Sequence, residues 1–241
     1  MWGKKPGRRQ QERLARVGEK IAYLLHQVRS PVVTIGLLAR SLQKSAKLNE
    51  KERHRLDQIV EQATVMESML QDTLGYLEPS RPGHARVNTA NLIQWVITAV
   101  LPQAAKANVS VMPDAAKGVP AISGHRRLLR QALLNVVKNG IEACGKRHGA
   151  VVISARATEK SVVIEVIDTG EGMPPEAVEE AFAPFHSTKE RGTGLGLPLT
   201  RKVVGDHSGR ISINSEPGAG TKVAIRLPIA APEKAPGARE S

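Results

Sequence analysis

Aromatic side chains and cysteine are scarce in this chain of 241 residues. Aromatic residues make up 2% of the sequence, and Cys144 is the one cysteine. The chain therefore lacks the rows of aromatic rings on which the bases of single-stranded nucleic acid stack. One cysteine forms neither an internal disulfide nor a zinc-finger ligand set. Because Cys144 lies beside a helical apolar run, we interpret it as a structural thiol rather than a reactive one.

Long apolar runs are also missing. The longest candidate, VVTIGLLA at residues 32–39, is far shorter than the about 18 consecutive apolar residues that indicate a membrane span. The basic N-terminus is not followed by the apolar segment of a signal peptide. We therefore expect a cytoplasmic protein with no membrane span.

Positive charge is in excess. The formal net charge is +12, and residues 1–20 contain seven Lys or Arg against two Glu. A basic surface increases the rate of encounter with acidic partners without contributing a specific site. We interpret the charge as a solvated basic surface that attracts acidic partners, and we expect no specific nucleic acid partner.

Two stretches in the first third of the chain have an apolar repeat of about seven residues, which is typical of helices that pair along a seam. A polar connector near residues 44–52 separates them. The pattern predicts a helical hairpin with an uncovered apolar stripe, and two hairpins that form a four-helix bundle would cover that stripe in a homodimer. The repeat consists of Leu14, Val17, Ile21, Leu24, Val28, Ile35, Leu38 and Leu42, then Leu56, Ile59, Ala63, Met66, Leu70 and Leu77.

Four short motifs follow in the rest of the chain. An amphipathic helical pattern contains NxxxN, an alternating strand pattern ends in DxGxG, and FxPF precedes a GxGxG turn that opens a helix. Glycines before a helix allow backbone N–H groups to converge on a phosphate at the positive helix end. The residues of these motifs are Asn135, Asn139, Asp168, Gly170, Gly172, Phe182, Phe185, Gly192, Gly194 and Gly196.

In this order the motifs resemble the nucleotide-binding domain of histidine protein kinases, in the superfamily that includes gyrase, heat-shock chaperone and mismatch-repair ATPases. The resemblance covers roughly residues 84–229. Upstream, LHQVRSP at residues 25–31 is similar to the phosphoacceptor box of these kinases, with His26 as the acceptor and Ser30 one turn later. The chain thus resembles the transmitter core of a two-component sensor histidine kinase of the nitrogen-regulation type.

The resemblance implies an α+β fold, in which a helical hairpin that forms a dimeric four-helix bundle is followed by an α/β-sandwich ATP-binding domain. The implied organisation is a basic arm at residues 1–9, a dimerisation and phosphoacceptor hairpin at 10–80, and a catalytic domain at 84–229. Residues 230–241 have no apolar pattern and are expected to be a disordered tail.

The resemblance also implies roles for individual residues. Asn139 ligates Mg²⁺ through its amide oxygen, Asn135 lies beside the phosphates, and Asp168 accepts a hydrogen bond from the adenine amino group. Gly170 and Gly172 leave room for the base. The resemblance implies that Phe185 anchors a lid and that Lys189 or Arg191 reaches the γ-phosphate. The turn that holds phosphate consists of Gly192, Gly194 and Gly196.

The implied reaction is autophosphorylation of His26 by Mg-ATP and relay of the phosphoryl group to an aspartate on the receiver domain of a response regulator. Most relatives have an acidic residue after the histidine, whereas this chain has Gln27, which cannot take up a proton. Ser30 stands where relatives carry a residue linked to dephosphorylation of the regulator. Two alternatives remain: mainly a phosphatase or phosphotransferase with weak autokinase activity, and a non-enzymatic ATP-binding scaffold.

No segment before residue 10 has the size of a sensor domain. We expect that the stimulus reaches the kinase through an upstream sensor protein, or that the chain is the catalytic core of a longer protein.

Overall fold

The computed structural model describes residues 25, 28–44, 48–77, 85–115, 118–145, 148–184, 186 and 194–231. The described helices and strands lie in two compact units, one with the helices of residues 28–77 and one with the strands. Helices combined with a mixed sheet confirm the predicted α+β class. Within the described part of the chain, no helix is both long and apolar enough to cross a membrane.

The first unit is a helical hairpin. Residues 28–43 form helix α1, and helix α2 is Glu50–Leu77. Before α2, Asn49 Oδ1 accepts from the backbone N–H of Glu52 and the Glu52 carboxylate accepts from that of Asn49, both at 2.9 Å. This reciprocal capping box satisfies donors that the first helical turn leaves unpaired. Inside the hairpin, Leu25 packs against a small buried cluster that consists of Val32, Ala63 and Leu70.

Much of the predicted apolar stripe is exposed in this single chain. Ala63 and Leu70 are buried, whereas six other positions of the repeat keep 43–61% of their surface accessible. One hairpin therefore covers only part of the stripe. The exposed members are Val28, Ile35, Leu38, Leu42, Ile59 and Met66. The positions of the repeat at residues 14–24 lie outside the described residues.

The second unit combines helices with two sheets. Its elements are β1 (Ala85–Val87), α3 (Thr89–Ala107), β2 (Val109–Ala115), β3 (Ile122–Gly124), α4 (Arg126–Ala143), β4 (Gly149–Ala157), β5 (Ser161–Asp168), α5 (Pro175–Glu180), α6 (Gly196–Asp206), β6 (Arg210–Glu216) and β7 (Gly220–Pro228). The five-stranded sheet has the order β2-β4-β5-β7-β6, in which β2 and β4 are parallel and the other neighbours antiparallel. Strands β1 and β3 form a separate antiparallel pair.

The core of this unit lies between the helices and the sheet. Helix α4 packs against α3, α6 and strands β4 and β5. Its buried positions recur at helical spacing, which gives the helix one apolar face. These positions are Leu129, Ala132, Leu133, Val136, Val137, Gly140 and Ile141. The sequence pattern had predicted both α4 and β5, and the two elements meet where the candidate site lies.

The opposite face of the sheet contains an ion cluster in which a buried carboxylate contacts two partly exposed cations. Glu165 is 7% exposed, and its carboxylate contacts Lys222 Nζ at 2.8 Å and the Arg156 guanidinium. The hydrogen bond from Lys222 lowers the pKa of Glu165 below its ordinary value of 4.5, Arg156 adds to this, and burial opposes it. The two cations therefore stabilise the ionised carboxylate in the folded protein.

We predict that Glu165→Gln destabilises the protein at about pH 7 and that this deficit shrinks in acid. The pKa of Glu165 is lowered on folding, so its contribution is present above the unfolded value of 4.5 and is lost as the pH falls through the folded pKa. Urea unfolding at about pH 7 and about pH 4 measures the difference. Glu159→Gln, at an exposed position before β5, is the control. A deficit that is equal at both pH values contradicts the prediction.

Candidate functional site

Asp168 is the last residue of β5 and is 5% exposed. Its Oδ1 accepts hydrogen bonds from the backbone N–H of Gly170 at 2.9 Å and of Thr221 at 3.2 Å. A buried carboxylate is costly unless donors surround it, and two backbone amides fix its orientation as well as its charge. The carboxylate is therefore held between the loop after β5 and the first residues of β7.

The glycines after Asp168 have a packing reason. A Cβ on Gly170 would lie 2.6 Å from the carbonyl carbon of Ala143, at the end of α4. Gly172 has φ +67°, and a Cβ there would lie 1.9 Å from the Glu216 carbonyl oxygen. The resemblance implies that these glycines leave room for a base, and that role stays a prediction. In the structure, the chain's own backbone occupies the space beside both.

Helix α4 brings its two asparagines to the same region. A Cβ on Gly140 would lie 3.2 Å from that of Asp168, so α4 and the end of β5 approach closely at this glycine. Asn139 precedes Gly140 and is half-buried. Asn135, one turn earlier, donates from Nδ2 to the Gly196 carbonyl oxygen at 3.3 Å. The structure thus brings Asp168, both asparagines and the start of α6 into one region.

Helix α6 begins at Gly196, shortly after Gly194, which has φ +65°. The first turn of a helix presents unpaired backbone N–H groups and a positive dipole end, which suit a phosphate. The Thr200 hydroxyl is fully buried and donates to the Gly196 carbonyl oxygen at 2.8 Å. The Thr200 hydroxyl therefore stabilises the first turn of α6.

His207 connects the C-terminal end of α6 to the N-terminal end of α4. Its Nδ1 is 2.7 Å from the Val203 carbonyl oxygen, which can only accept, so this nitrogen is the donor. Nε2 then accepts from the backbone N–H of His125, the residue before α4, at 2.9 Å. His207 is 5% exposed. Both ring nitrogens are thus used in a bridge between the two helices. This bridge was not predicted from the sequence.

Part of the predicted site lies outside the residues that the structure describes. These positions are His26, Gln27, Phe185, Lys189, Arg191 and Gly192. Ser30 lies in α1 of the helical unit and is exposed. Phe182 follows α5, and the Arg201 guanidinium lies 5.4 Å from the centre of its ring.

Cys144 lies close to the site and is buried. Burial raises the pKa of its thiol above the ordinary value of 9.0, a hydrogen bond with Thr169 partly offsets this, and the charge of Asp168 raises it further. The thiol therefore stays protonated and weakly nucleophilic at neutral pH. This agrees with its interpretation as a structural thiol.

A matching family model and two relatives of this chain all have names that include a kinase. Residues 124–231 match the family described as "Histidine kinase-, DNA gyrase B-, and HSP90-like ATPase". Sporulation kinase C of Bacillus subtilis (strain 168) is 32% identical over 90% of this chain and 52% of its own length. The sensory histidine kinase/phosphatase NtrB of Proteus hauseri is 30% identical over 88% of this chain and 62% of its own length. The chain spans about half the length of the first curated relatives it matches.

Solved structures agree with this match. Full-length ShkA in complex with AMPPNP has a TM-score of 0.76 and 26% identity, over 89% of this chain and 46% of ShkA. The histidine kinase ThkA in complex with response regulator protein TrrA has a TM-score of 0.65 and 25% identity, over 94% of this chain and 66% of that one. On the motifs, the fold and these matches, the chain carries a histidine kinase-like ATPase domain at residues 124–231 and is similar to sensor histidine kinases over about nine tenths of its length.

Proposed function

We propose that this protein is an ATP-dependent histidine kinase that phosphorylates His26 and passes the phosphoryl group to an aspartate of a response regulator. The observation that carries the proposal is the position of Asp168, a buried carboxylate fixed by two backbone N–H groups and packed against α4 at Gly140. Support also comes from the related proteins, which include a structure with AMPPNP and one with a response regulator.

Asp168 is the proposed contact for adenine. An ionised carboxylate only accepts hydrogen bonds, so it attracts the amino group of adenine and repels the carbonyl oxygen that guanine has at the same position. The backbone amides of Gly170 and Thr221 hold the carboxylate against rotation. Selection of ATP over GTP would follow from this fixed orientation.

Phosphate binding is assigned to the C-terminal half of α4 and the N-terminal turn of α6. The N-terminal turn of α6, with Gly194 and Gly196, supplies backbone N–H groups, and Asn135 is hydrogen-bonded to that turn. Asn139 supplies an amide oxygen, a ligand type that Mg²⁺ accepts. No cluster of three or more acidic, His or Cys side chains that could bind a metal occurs in the described ranges. One protein amide fits an ion whose other ligands are water and nucleotide phosphates.

Bound Mg²⁺ would neutralise charge on the phosphates during transfer. We assign Lys189 or Arg191 to the γ-phosphate, Gly192 to the phosphate turn and Phe185 to the anchor of the lid. These assignments rest on the family motif, because the four residues lie outside the described ranges. A cation that contacts the γ-phosphate stabilises the charge that its oxygens carry in the transition state.

In the transfer step a neutral ring nitrogen of His26 attacks the γ-phosphorus. A nitrogen–phosphorus bond forms as the bond from phosphorus to the β–γ bridging oxygen breaks, and ADP leaves with that electron pair. The other ring nitrogen must be oriented and must dispose of its proton. Gln27 can accept a hydrogen bond from that N–H, but it cannot remove the proton. We propose a slow autokinase for this reason.

The helical unit is proposed to dimerise. Its exposed stripe, which includes Ile35, Leu38 and Leu42, would be covered by a second hairpin in a four-helix bundle. The domain assignment follows, with residues 10–80 as the dimerisation and acceptor module and 84–229 as the ATP-binding module. An upstream sensor protein, or a further part of a longer protein, would supply the stimulus.

A second candidate function is dephosphorylation of the response regulator. Ser30 is exposed on α1, where its hydroxyl could orient a water molecule on a docked regulator. One relative has a name that includes both kinase and phosphatase. Gln27 favours this alternative, because it would weaken the kinase reaction and leave a hydrolytic one unaffected.

We predict that the purified protein incorporates radiolabel from γ-labelled Mg-ATP in an acid-labile form, as expected for phosphohistidine. His26→Ala should abolish the label because it removes the acceptor. Asp168→Asn should reduce it strongly because the amide presents a donor to the adenine amino group. Asp206→Asn, at the C-terminal end of α6, is the control for a general loss of negative charge. Label that survives in His26→Ala would contradict the acceptor assignment.

We further predict that Gln27→Glu raises the rate of His26 labelling, by up to about 100-fold if a general base is restored in full. The carboxylate would both orient the imidazole and accept its proton. The measurement is the initial rate of labelling at saturating ATP. An unchanged rate would show that proton removal does not limit autophosphorylation, and equal ATP affinity of the two proteins checks that the change acts on transfer.

A further inference from the structure

Ser215 on β6 has a hydroxyl group at the centre of three hydrogen bonds. Its Oγ accepts from the backbone N–H of Met173 at 2.9 Å, donates to the Gly220 carbonyl oxygen at 2.9 Å, and lies 2.8 Å from Thr221 Oγ1. A hydroxyl has one proton and two lone pairs. Because that proton points to Gly220, Thr221 must donate in the third bond, and the full capacity of the hydroxyl is used.

The three partners belong to the two segments that hold Asp168. Met173 ends the loop that begins after Asp168, and Thr221 lies at the start of β7. The same two segments supply the donors to Asp168 Oδ1, through the backbone N–H of Gly170 and of Thr221. Ser215 therefore links the two segments whose backbone N–H groups donate to the Asp168 carboxylate.

The segments have little space in which to shift independently. A Cβ on Gly220 would lie 2.0 Å from the carbonyl oxygen of Asp168, so the two backbones are in direct contact there. The backbone N–H of Gly218 donates to the Glu171 carbonyl oxygen at 2.7 Å. A small change in their separation would move both donors relative to the carboxylate. The Ser215 hydroxyl bridges the segments at this separation.

We propose that Ser215 is a positioning residue for base recognition, which holds the loop after β5 and the start of β7 at the spacing that orients Asp168 toward the 6-amino group of adenine. The inference rests on the proposed ATP site. It predicts that the Ser215 hydroxyl contributes to affinity only for a purine nucleotide with a 6-amino group, because its effect passes through Asp168.

The test is a cycle that removes the hydroxyl from the protein and the amino group from the ligand. Affinities for ATP and for purine riboside triphosphate, which lacks the 6-amino group, are measured by calorimetry with Mg²⁺ on the full chain. The variants are Ser215→Ala and Ser215→Thr, with Ser212→Ala as matched control. Ser212 lies three residues earlier on the same strand and is exposed.

We expect Ser215→Ala to weaken ATP binding by about 5- to 10-fold, the scale of one well-made hydrogen bond, and to change binding of the desamino analogue less than about two-fold. Ser215→Thr should restore most of the ATP preference, and Ser212→Ala should match the wild type. Equal losses for both ligands in Ser215→Ala would overturn the inference, since a general loss of structure weakens both.

The outcome for the wild type separates this inference from the proposed function. A wild type that binds ATP about 10-fold or more tightly than the analogue supports the adenine role of Asp168. If that preference also persists in Ser215→Ala, the inference fails and the ATP site stands. A wild type that binds the two ligands equally overturns both the inference on Ser215 and the adenine role of Asp168. If Ser215→Ala does not fold, Ser215→Cys, which fills the same space with a weak hydrogen-bonding group, takes its place, with the same losses expected.

Discussion

The arrangement of the α/β unit depends on the need to bury the carboxylate of Asp168 together with its hydrogen-bond donors. A charged group removed from water is strongly destabilising unless polar partners replace the solvent. Here the donors are backbone amides from two segments, the loop at Gly170 and the strand start at Thr221. Side-chain donors would rotate, whereas amides in a packed backbone keep their direction. The carboxylate is thereby fixed before any ligand arrives.

This way of supplying donors requires backbones to approach one another closely, and the glycines make that approach feasible. At Gly140 helix α4 approaches Asp168, and at Gly220 strand β7 approaches the Asp168 carbonyl group. A side chain at Gly220 would also meet the strain of φ +88°. The packing of the protein's own backbone around Asp168 therefore explains the glycines at positions 140 and 220.

Local pattern was sufficient to predict the elements that carry the site. The alternation of SVVIEVID predicted β5, and the helical spacing around Asn135 predicted α4. Each of these signals lies within a few consecutive residues. The α+β class was implied by the resemblance that the motifs carry, and the mixed sheet confirms it.

The connections between elements could not be predicted in this way. Ser215 occupies an inward position of an alternating strand and differs in no local respect from many serines, since its partners at Met173 and Thr221 are brought to it only by sheet pairing. The bridge from His207 to His125 joins residues 82 positions apart. The degree to which one hairpin leaves Leu38 exposed also depends on tertiary packing rather than on periodicity.

The contacts between α4 and α6 show why such distant residues matter for the site. At one end Asn135 bonds to Gly196, and at the other His207 bonds to the backbone of His125. The two contacts lie ten residues apart on α4 and eleven on α6, so both helices span about 15–17 Å between them at 1.5 Å per residue. The helices are therefore antiparallel, and contacts at the two ends of α6 hold their register.

A slide of one helix along the other by one turn, about 5.4 Å, would break both of these contacts at once. That register fixes the distance from Asn139 on α4 to the turn that begins α6. In the proposed site, the amide that would bind Mg²⁺ and the turn that would bind phosphate act on one nucleotide only at a matched distance. The spacing of two motifs that are about 60 residues apart in the sequence is thus set partly by an imidazole at the far end of the helix pair.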